Sequence, residues 1–262
     1  MKRRSLILGA AAGVAAPVLL ASAEPASAAV RDATTRAGTW TGPTVKRHFP
    51  GRDNKAARLT TLPRGTLQVV VVTATSATTS YATLETFARI RGYWTPVSAA
   101  LPARIGAKGF SDNHVEGVAT TPTGVYAIGP TMYGIASDPG VRYPYHRLVS
   151  GDWWNENPNS SAYNSFQHTA TDPGGYSEAL WQETTAYTHF AVITYNMPPT
   201  VATPVPGAGS GIFLHQFSTS GGNPTAGCVS LSHDHLVGVL RWLRPEANPH
   251  IVLSPAANLS RY

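Results

Sequence analysis

Cysteine is nearly absent: Cys228 is the only one in 262 residues. That excludes an internal disulfide and a Cys-rich zinc or iron–sulfur site within one chain. Charge is sparse as well, at 13% Asp, Glu, Lys and Arg. Glycine and proline recur without a collagen period, and 42% apolar residues is too many for a disordered chain. There is no internal repeat, coiled-coil heptad or P-loop, and no Gly-x-Ser-x-Gly or Gly-x-Gly-x-x-Gly run. Neither an α/β-hydrolase nor a dinucleotide site is therefore signalled. A chain of this length buries a proper core and forms one or two domains. Within it, Cys228 is either an inert core residue or a reactive thiol.

The N-terminus reads as a processing segment. Lys2, Arg3 and Arg4 precede an Ala-rich apolar stretch, Leu6 to Leu20, and then the small-residue cleavage pattern Ala26-Ser27-Ala28. Arg3-Arg4 followed by Ser5, Leu6 and Ile7 resembles a twin-arginine export signal; a Sec signal shares the basic start. The expectation is a cleavable signal over 1–28 and an exported protein of the bacterial cell wall or extracellular space, with no stable membrane anchor after cleavage. Losing Lys2, Arg3, Arg4 and Glu24 lowers the formal charge from +6 to +4. A mild basic excess suits an anionic wall. The Lys and Arg residues are scattered, without a basic run interleaved with aromatics, so no nucleic-acid partner is expected. In an oxidising compartment an idle thiol is a liability, which favours a thiol kept for chemistry.

Residues 29–60 are Thr-, Arg- and Gly-rich and read as a linker or a loosely packed lead-in. From Leu67 the pattern is strand-like: Leu67 to Thr73 is β-branched and bounded by Pro63 and Gly65. Further strands are expected at 93–97, 103–106, 189–195, 212–215 and 250–253. Between Tyr93 and Tyr133, turn residues every 8–12 positions point to sheet. Residues 150–175, with Asp152-Trp153-Trp154-Asn155 and Tyr163-Asn164, show no clean period and read as a functional lid or binding loop. The clearest helix is Asp234 to Leu243. Leu236, Val239, Leu240 and Leu243 form one apolar face, Ser232 is the N-cap and Pro245 the stop.

The window from Ile212 to Leu231 carries the chemistry. His215 closes an apolar strand, and Cys228 follows thirteen residues later in Thr225-Ala226-Gly227-Cys228-Val229. A cysteine nucleophile needs thiolate, yet a free thiol with pKa about 8.5 is mostly protonated at neutral pH. A nearby imidazole can take that proton and later deliver one to a leaving amine. Gly227 permits a tight turn and close approach of a substrate carbonyl, and the Gly227 and Cys228 N–H groups could face the oxyanion. The alternative for Cys228 is a small core residue.

These residues resemble the L,D-transpeptidases of the YkuD type, in the branch with a short Pro-Thr-Ala-Gly-Cys-Val motif. The resemblance rests on His215 and Pro224 to Val229, with Glu116 to Tyr126, Asp152-Trp153-Trp154, Tyr163-Asn164, Ser177 to Trp181 and Tyr195-Asn196 in the same order. It spans roughly Arg91 to Leu253. It implies a mainly β fold, a mixed sandwich with a helix following the cysteine, as a catalytic domain over 61–262. It also implies crosslinking of peptidoglycan stem peptides in cell-wall biogenesis. A thiolate attacks the carbonyl before terminal D-Ala, a thioester forms, and an amine of a second stem resolves it into a 3→3 link. Carried over by position, Cys228 is the nucleophile and His215 the base. The Gln216 carbonyl orients the imidazole, and Gly227 with Cys228 supplies oxyanion donors. Thr225, Tyr195, Asn196, Trp153 and Trp154 are candidate substrate contacts. No metal and no cofactor is implied, and carbapenem-type inhibitors are expected to react at the cysteine. Ala226 stands where many members carry a second histidine, Ser230 stands two after the cysteine, and the His–Cys spacing is short. These departures leave two alternatives open: an L,D-carboxypeptidase using the same residues, and a non-catalytic peptidoglycan-binding module.

Overall fold

The computed structural model describes residues 53–262. The expected export signal, 1–28, and most of the expected lead-in lie outside the described residues. In chain order the strands are β1 (Gln68–Ala74), β2 (Tyr81–Ile90), β3 (Tyr93–Pro96), β4 (Leu101–Arg104), β5 (Phe110–Ser111), β6 (Thr121–Pro122), β7 (Gly124–Gly134) and β8 (Tyr145–Arg147). They continue as β9 (Asp152–Asn155), β10 (Ser165–His168), β11 (Glu178–Ala179), β12 (Phe190–Ile193), β13 (Phe213–Gln216), β14 (Val229–Leu231) and β15 (His250–Pro255). One α-helix, α1 (His233–Trp242), follows β14.

The main sheet runs β1-β15-β7-β12-β13-β14-β4-β2, and β2 also pairs with β1. Eight strands thus close into a ring, with β3 and β8 appended to β2 and β7. The β1–β15, β13–β14 and β7–β8 ladders are parallel, and the other ladders of this sheet are antiparallel. The fold is therefore mainly β and mixed, with the helix just after the cysteine; the expected sandwich is closed through its β1–β2 seam.

Alternation along the strands sorts the side chains into separate cores. Val70, Val72, Ile251, Leu253, Leu214, Val229 and Leu231 enter the main core, and Leu236, Val239, Leu240 and Leu243 of α1 and its C-terminal end pack against it. Val69 and Val71 face the other way, onto Ala56, Phe87 and Leu259. Cover on both faces explains why β1 reads as an unbroken Val run. The expected lead-in ends earlier than residue 60. Ala56 is fully buried, and Asn54 Nδ2 donates to the Trp94 carbonyl at 2.8 Å.

On the opposite side of β12, β13 and β14 lies a second core made of Trp154, Leu180, Tyr187, Phe190, Val192, Phe213 and Cys228. Its cover is a three-stranded antiparallel sheet, β10-β9-β11. This sheet occupies much of the segment expected to be an irregular loop. A buried carboxylate fastens it: Asp152 accepts from His146 Nε2 at 2.8 Å, His168 Nδ1 at 2.7 Å and the Val149 N–H at 2.7 Å. His146 belongs to β8, so the bond ties the small sheet to the ring.

Ile251 is fully buried in the main core. Truncation to Ala should cost about 2–5 kcal/mol of unfolding free energy. The same change at half-exposed Val97 should stay within about 0.5 kcal/mol. Urea melts of the two variants compare them directly.

Candidate active site

Cys228 and His215 meet because their strands are parallel neighbours. The register places Leu214 opposite Val229 and His215 opposite Ser230. Cys228, two before Ser230, shares its face, so thiol and imidazole are diagonal neighbours, roughly 7–8 Å apart at Cα and within side-chain reach. The two residues are 8% and 7% exposed.

His215 Nδ1 lies 2.6 Å from the Gln216 carbonyl. A carbonyl only accepts, so Nδ1 carries the proton and Nε2 of the neutral ring keeps a lone pair. Tyr187 packs edge-on against the imidazole, with centroids 5.7 Å apart at 78°. Burial pulls the imidazole down to about 4, against a small opposing effect of the Gln216 bond. Burial pushes the Cys228 thiol well up, helped by the nearby Glu178 and Glu156 carboxyls. At neutral pH the resting pair is therefore uncharged. The thiol donates to the Gly211 carbonyl at 3.2 Å, and its sulfur accepts the Phe213 N–H at 3.3 Å.

The turn before the cysteine is tightly held. Thr225 bonds through its backbone to Ile105 and Ala107, and Arg104 Nη1 donates to the Gly222 carbonyl at 3.1 Å. Thr225 Oγ1 donates to the Cys228 carbonyl at 2.6 Å and accepts the Gly227 N–H at 3.2 Å. The expected oxyanion donor Gly227 is thus turned toward its own loop, which leaves the Cys228 N–H as the remaining one of the two expected donors. Gly227 is required for close packing: an added Cβ would sit 3.0 Å from the Thr120 carbonyl oxygen and from Ile212 Cδ1. Ser230 holds its hydroxyl buried without a hydrogen-bond partner.

The other expected contact residues divide. Trp154 borders the cysteine core, 2% exposed, its indole stacked edge-on against Phe213 and its Nε1 donating to Asn164 Oδ1 at 2.9 Å. Trp153, the next residue along β9, takes the opposite face. It pairs edge-on with Trp181 beside a separate pocket of about 270 Å³ and lies outside the cysteine cluster, because adjacent strand residues cannot share a side. Tyr195 and Asn196 fasten the 197–211 connection. The Tyr195 hydroxyl donates to the Ala208 carbonyl at 2.6 Å, and Asn196 Nδ2 donates to the carbonyls of Val205 and Gly209 at 3.0 and 2.9 Å.

Sequence reading missed three carboxyl groups. Glu116 Oε2 accepts from the hydroxyls of Tyr163 and Ser210. Glu156 lies against Gly211, where an added Cβ would come within 2.0 Å of its Oε1 and where φ is +61°. Glu178 accepts the Tyr187 hydroxyl. Burial, reinforced by the neighbouring carboxyls, raises both Glu156 and Glu178 above the ordinary carboxylate range. The three residues are far apart in sequence, so no local motif joins them; Glu116 and Glu178 do lie inside the Glu116 to Tyr126 and Ser177 to Trp181 runs.

Three comparisons bear on this arrangement. A family model described as YkuD, L,D-transpeptidase catalytic domain, matches residues 68–252. No curated protein and no solved structure gives a significant match.

Cys228 in the folded protein should react with iodoacetamide at pH 7 on the order of tenfold more slowly than the same thiol in denaturant, and faster as pH rises. Equal rates at pH 7 would contradict a raised, buried thiol. Glu156 makes a second prediction. Its folded form keeps a proton that the unfolded chain loses above the ordinary value of 4.5. The wild type therefore loses stability relative to Glu156→Gln as pH rises from there. Thermal melts should place Glu156→Gln above wild type at pH 8 and bring the two together near pH 4.5.

Proposed function

The chain belongs to the YkuD family of L,D-transpeptidase catalytic domains, and from that premise we propose that it is an exported cysteine acyltransferase that forms 3→3 crosslinks in peptidoglycan. The family acts on peptidoglycan stem peptides. The observation that carries the finer reading is the Cys228–His215 pair: one face, adjacent parallel strands, and a ring whose Nδ1 is committed to Gln216 so that Nε2 is the base.

The reaction begins from a neutral thiol and a neutral imidazole. As the stem carbonyl approaches, the thiol proton turns from the Gly211 carbonyl to His215 Nε2, and sulfur attacks the carbonyl before terminal D-Ala. The Cys228 N–H stabilises the oxyanion. His215 then protonates the departing amine, leaving a thioester. Because the base is neutral down to about pH 4, acylation should persist into mildly acidic conditions and fail only as His215 gains a proton. An amine of a second stem resolves the thioester, whereas water in its place gives tetrapeptide trimming. The signal-like 1–28 segment supports delivery to the cell wall.

Cys228→Ala should abolish D-Ala release from a tetrapeptide stem, and His215→Ala should reduce it by about 10²- to 10⁴-fold. Thermal melts of both should stay near wild type. Mass analysis of products decides the outcome: 3→3 dimers support the crosslinking reading, and tripeptide without dimers replaces it with carboxypeptidase activity. A carbapenem adduct on Cys228 in the folded protein, absent from Cys228→Ala, identifies the nucleophile. If Cys228→Ser melts lower but keeps its activity, Cys228 is a core residue after all.

A further inference from the structure

Crosslinking has two halves, and the two need different proton handling. In the first, His215 takes a proton from sulfur and gives it to the leaving amine. In the second, the incoming nucleophile is an amine that carries an extra proton at neutral pH. It must lose that proton before its lone pair can attack, and His215, with Nε2 as its one free nitrogen, also has to carry a second proton to the departing sulfur.

A second proton acceptor stands on the same side of the ring. Glu178 lies on β11, paired in register with Trp154, whose indole borders the cysteine core. Its Oε2 accepts the Tyr187 hydroxyl, and the Tyr187 ring touches both His215 and Phe213. One tyrosine thus links the carboxyl to the imidazole and to the strand whose N–H holds the sulfur. The other oxygen, Oε1, makes no hydrogen bond among the described residues. Glu178 is half-buried, whereas Glu116 already accepts two hydroxyls and Glu156 is 8% exposed and packed against Gly211. Of the three carboxyls, Glu178 is the one bonded to the tyrosine that packs against His215.

We propose that Glu178 is the acceptor-side catalytic residue, binding the ammonium of the incoming stem through Oε1 and taking its proton as the amine attacks the thioester. The assignment rests on the crosslinking reading above. In the step, R–NH3⁺ passes one proton to Glu178. The freed lone pair forms the C–N bond and the C–S bond breaks. A second proton passes through His215 Nε2 to the departing sulfur, restoring the thiol; the third stays on the new amide, and Glu178 releases its proton to solvent. The groups facing Glu178 suit this role. Burial raises its proton affinity most, the Tyr187 bond tempers it, and Glu183 and Glu116 add to the rise. Glu156 and Cys228 feel its charge in turn.

The test separates the two halves on the full chain. D-Ala release from a tetrapeptide donor reports acylation. Product mass with two acceptors reports aminolysis: a tripeptide ending in a diamino acid, cationic at pH 7, and hydroxylamine, neutral at pH 7. Glu178→Gln should acylate within about threefold of wild type and keep its hydroxylamine product within the same margin, while the cationic-amine product falls on the order of 30-fold or more. Tyr187→Phe is the second variant and covers the case where Glu178→Gln does not fold. It keeps the ring against His215 and removes the bond that tempers Glu178, so the low-pH limb of aminolysis should move to higher pH while acylation holds. Equal losses with both acceptors, or no loss with either, would overturn the assignment. A wild type that releases no D-Ala at all would instead overturn the crosslinking reading, and this inference with it.

Discussion

The parallel ladder between β13 and β14 is the constraint on which the site depends. Parallel neighbours cannot be joined by a tight hairpin, so the chain must leave the sheet and return in the same direction. Here residues 217–228 make that return, and Cys228 is its last residue before β14 begins. The register then decides which face receives the thiol. A slip of one position would send Cys228 into the main core with Leu214 and bring Val229 beneath the imidazole. Arg104, Thr225 and Thr121 hold that return from three directions, through Gly222, the Ile105–Ala107 backbone and the Gly227 carbonyl. Much of the polar bonding in this region therefore serves to prevent that slip.

Enclosure follows from the same arrangement. The face that receives the thiol is the one roofed by the β10-β9-β11 sheet, so sulfur and imidazole are taken out of water together. Each is driven toward its uncharged form, and the resting site stores no ion pair. In the proposed reaction, activation then comes from the reacting partner, whose carbonyl draws the proton transfer forward. The carboxyl groups around Gly211 and Tyr187 belong to this economy of charge: an anion created on sulfur is disfavoured by them until something cationic or electrophilic arrives.

Legibility in the sequence followed how local the signal was. The Val run of β1, the apolar β12, β13 and β15, and the four-residue apolar face of α1 are all periodic within one segment, and they were readable. So was the neighbourhood of Cys228 and His215, since one connection joins their strands. β7 was concealed by Gly124, Gly129, Pro130 and Gly134, residues that dilute a strand pattern but are tolerated where neighbours supply the ladder. The small sheet over the cysteine was concealed for another reason. Its cohesion comes from Asp152 reaching two histidines and from Asn164 reaching Trp154 and the backbone at 195 and 196, and none of that has a period. Glu116, Glu156 and Glu178 converge only after three separate elements have packed. The Trp153-Trp154 pair shows the reverse error: two adjacent aromatics look like one wall, and the pleat sends them to opposite sides.

The β1–β2 seam has a consequence for how this chain meets other chains. An open sheet ends in two strands whose N–H and C=O groups point outward with nothing to bind, and a passing extended polypeptide can add itself there. A ring has no first or last strand, so that invitation is withdrawn around the whole circumference. What remains are short edges: the appendages Tyr93–Pro96, ending in a proline that has no N–H to offer, and Tyr145–Arg147, with β10 and β11 at the sides of the small sheet and the two-residue β5–β6 pair. A member of a family that acts on peptidoglycan stem peptides thus presents backbone-matching edges only in stubs, which leaves side chains as the means of recognising an extended peptide.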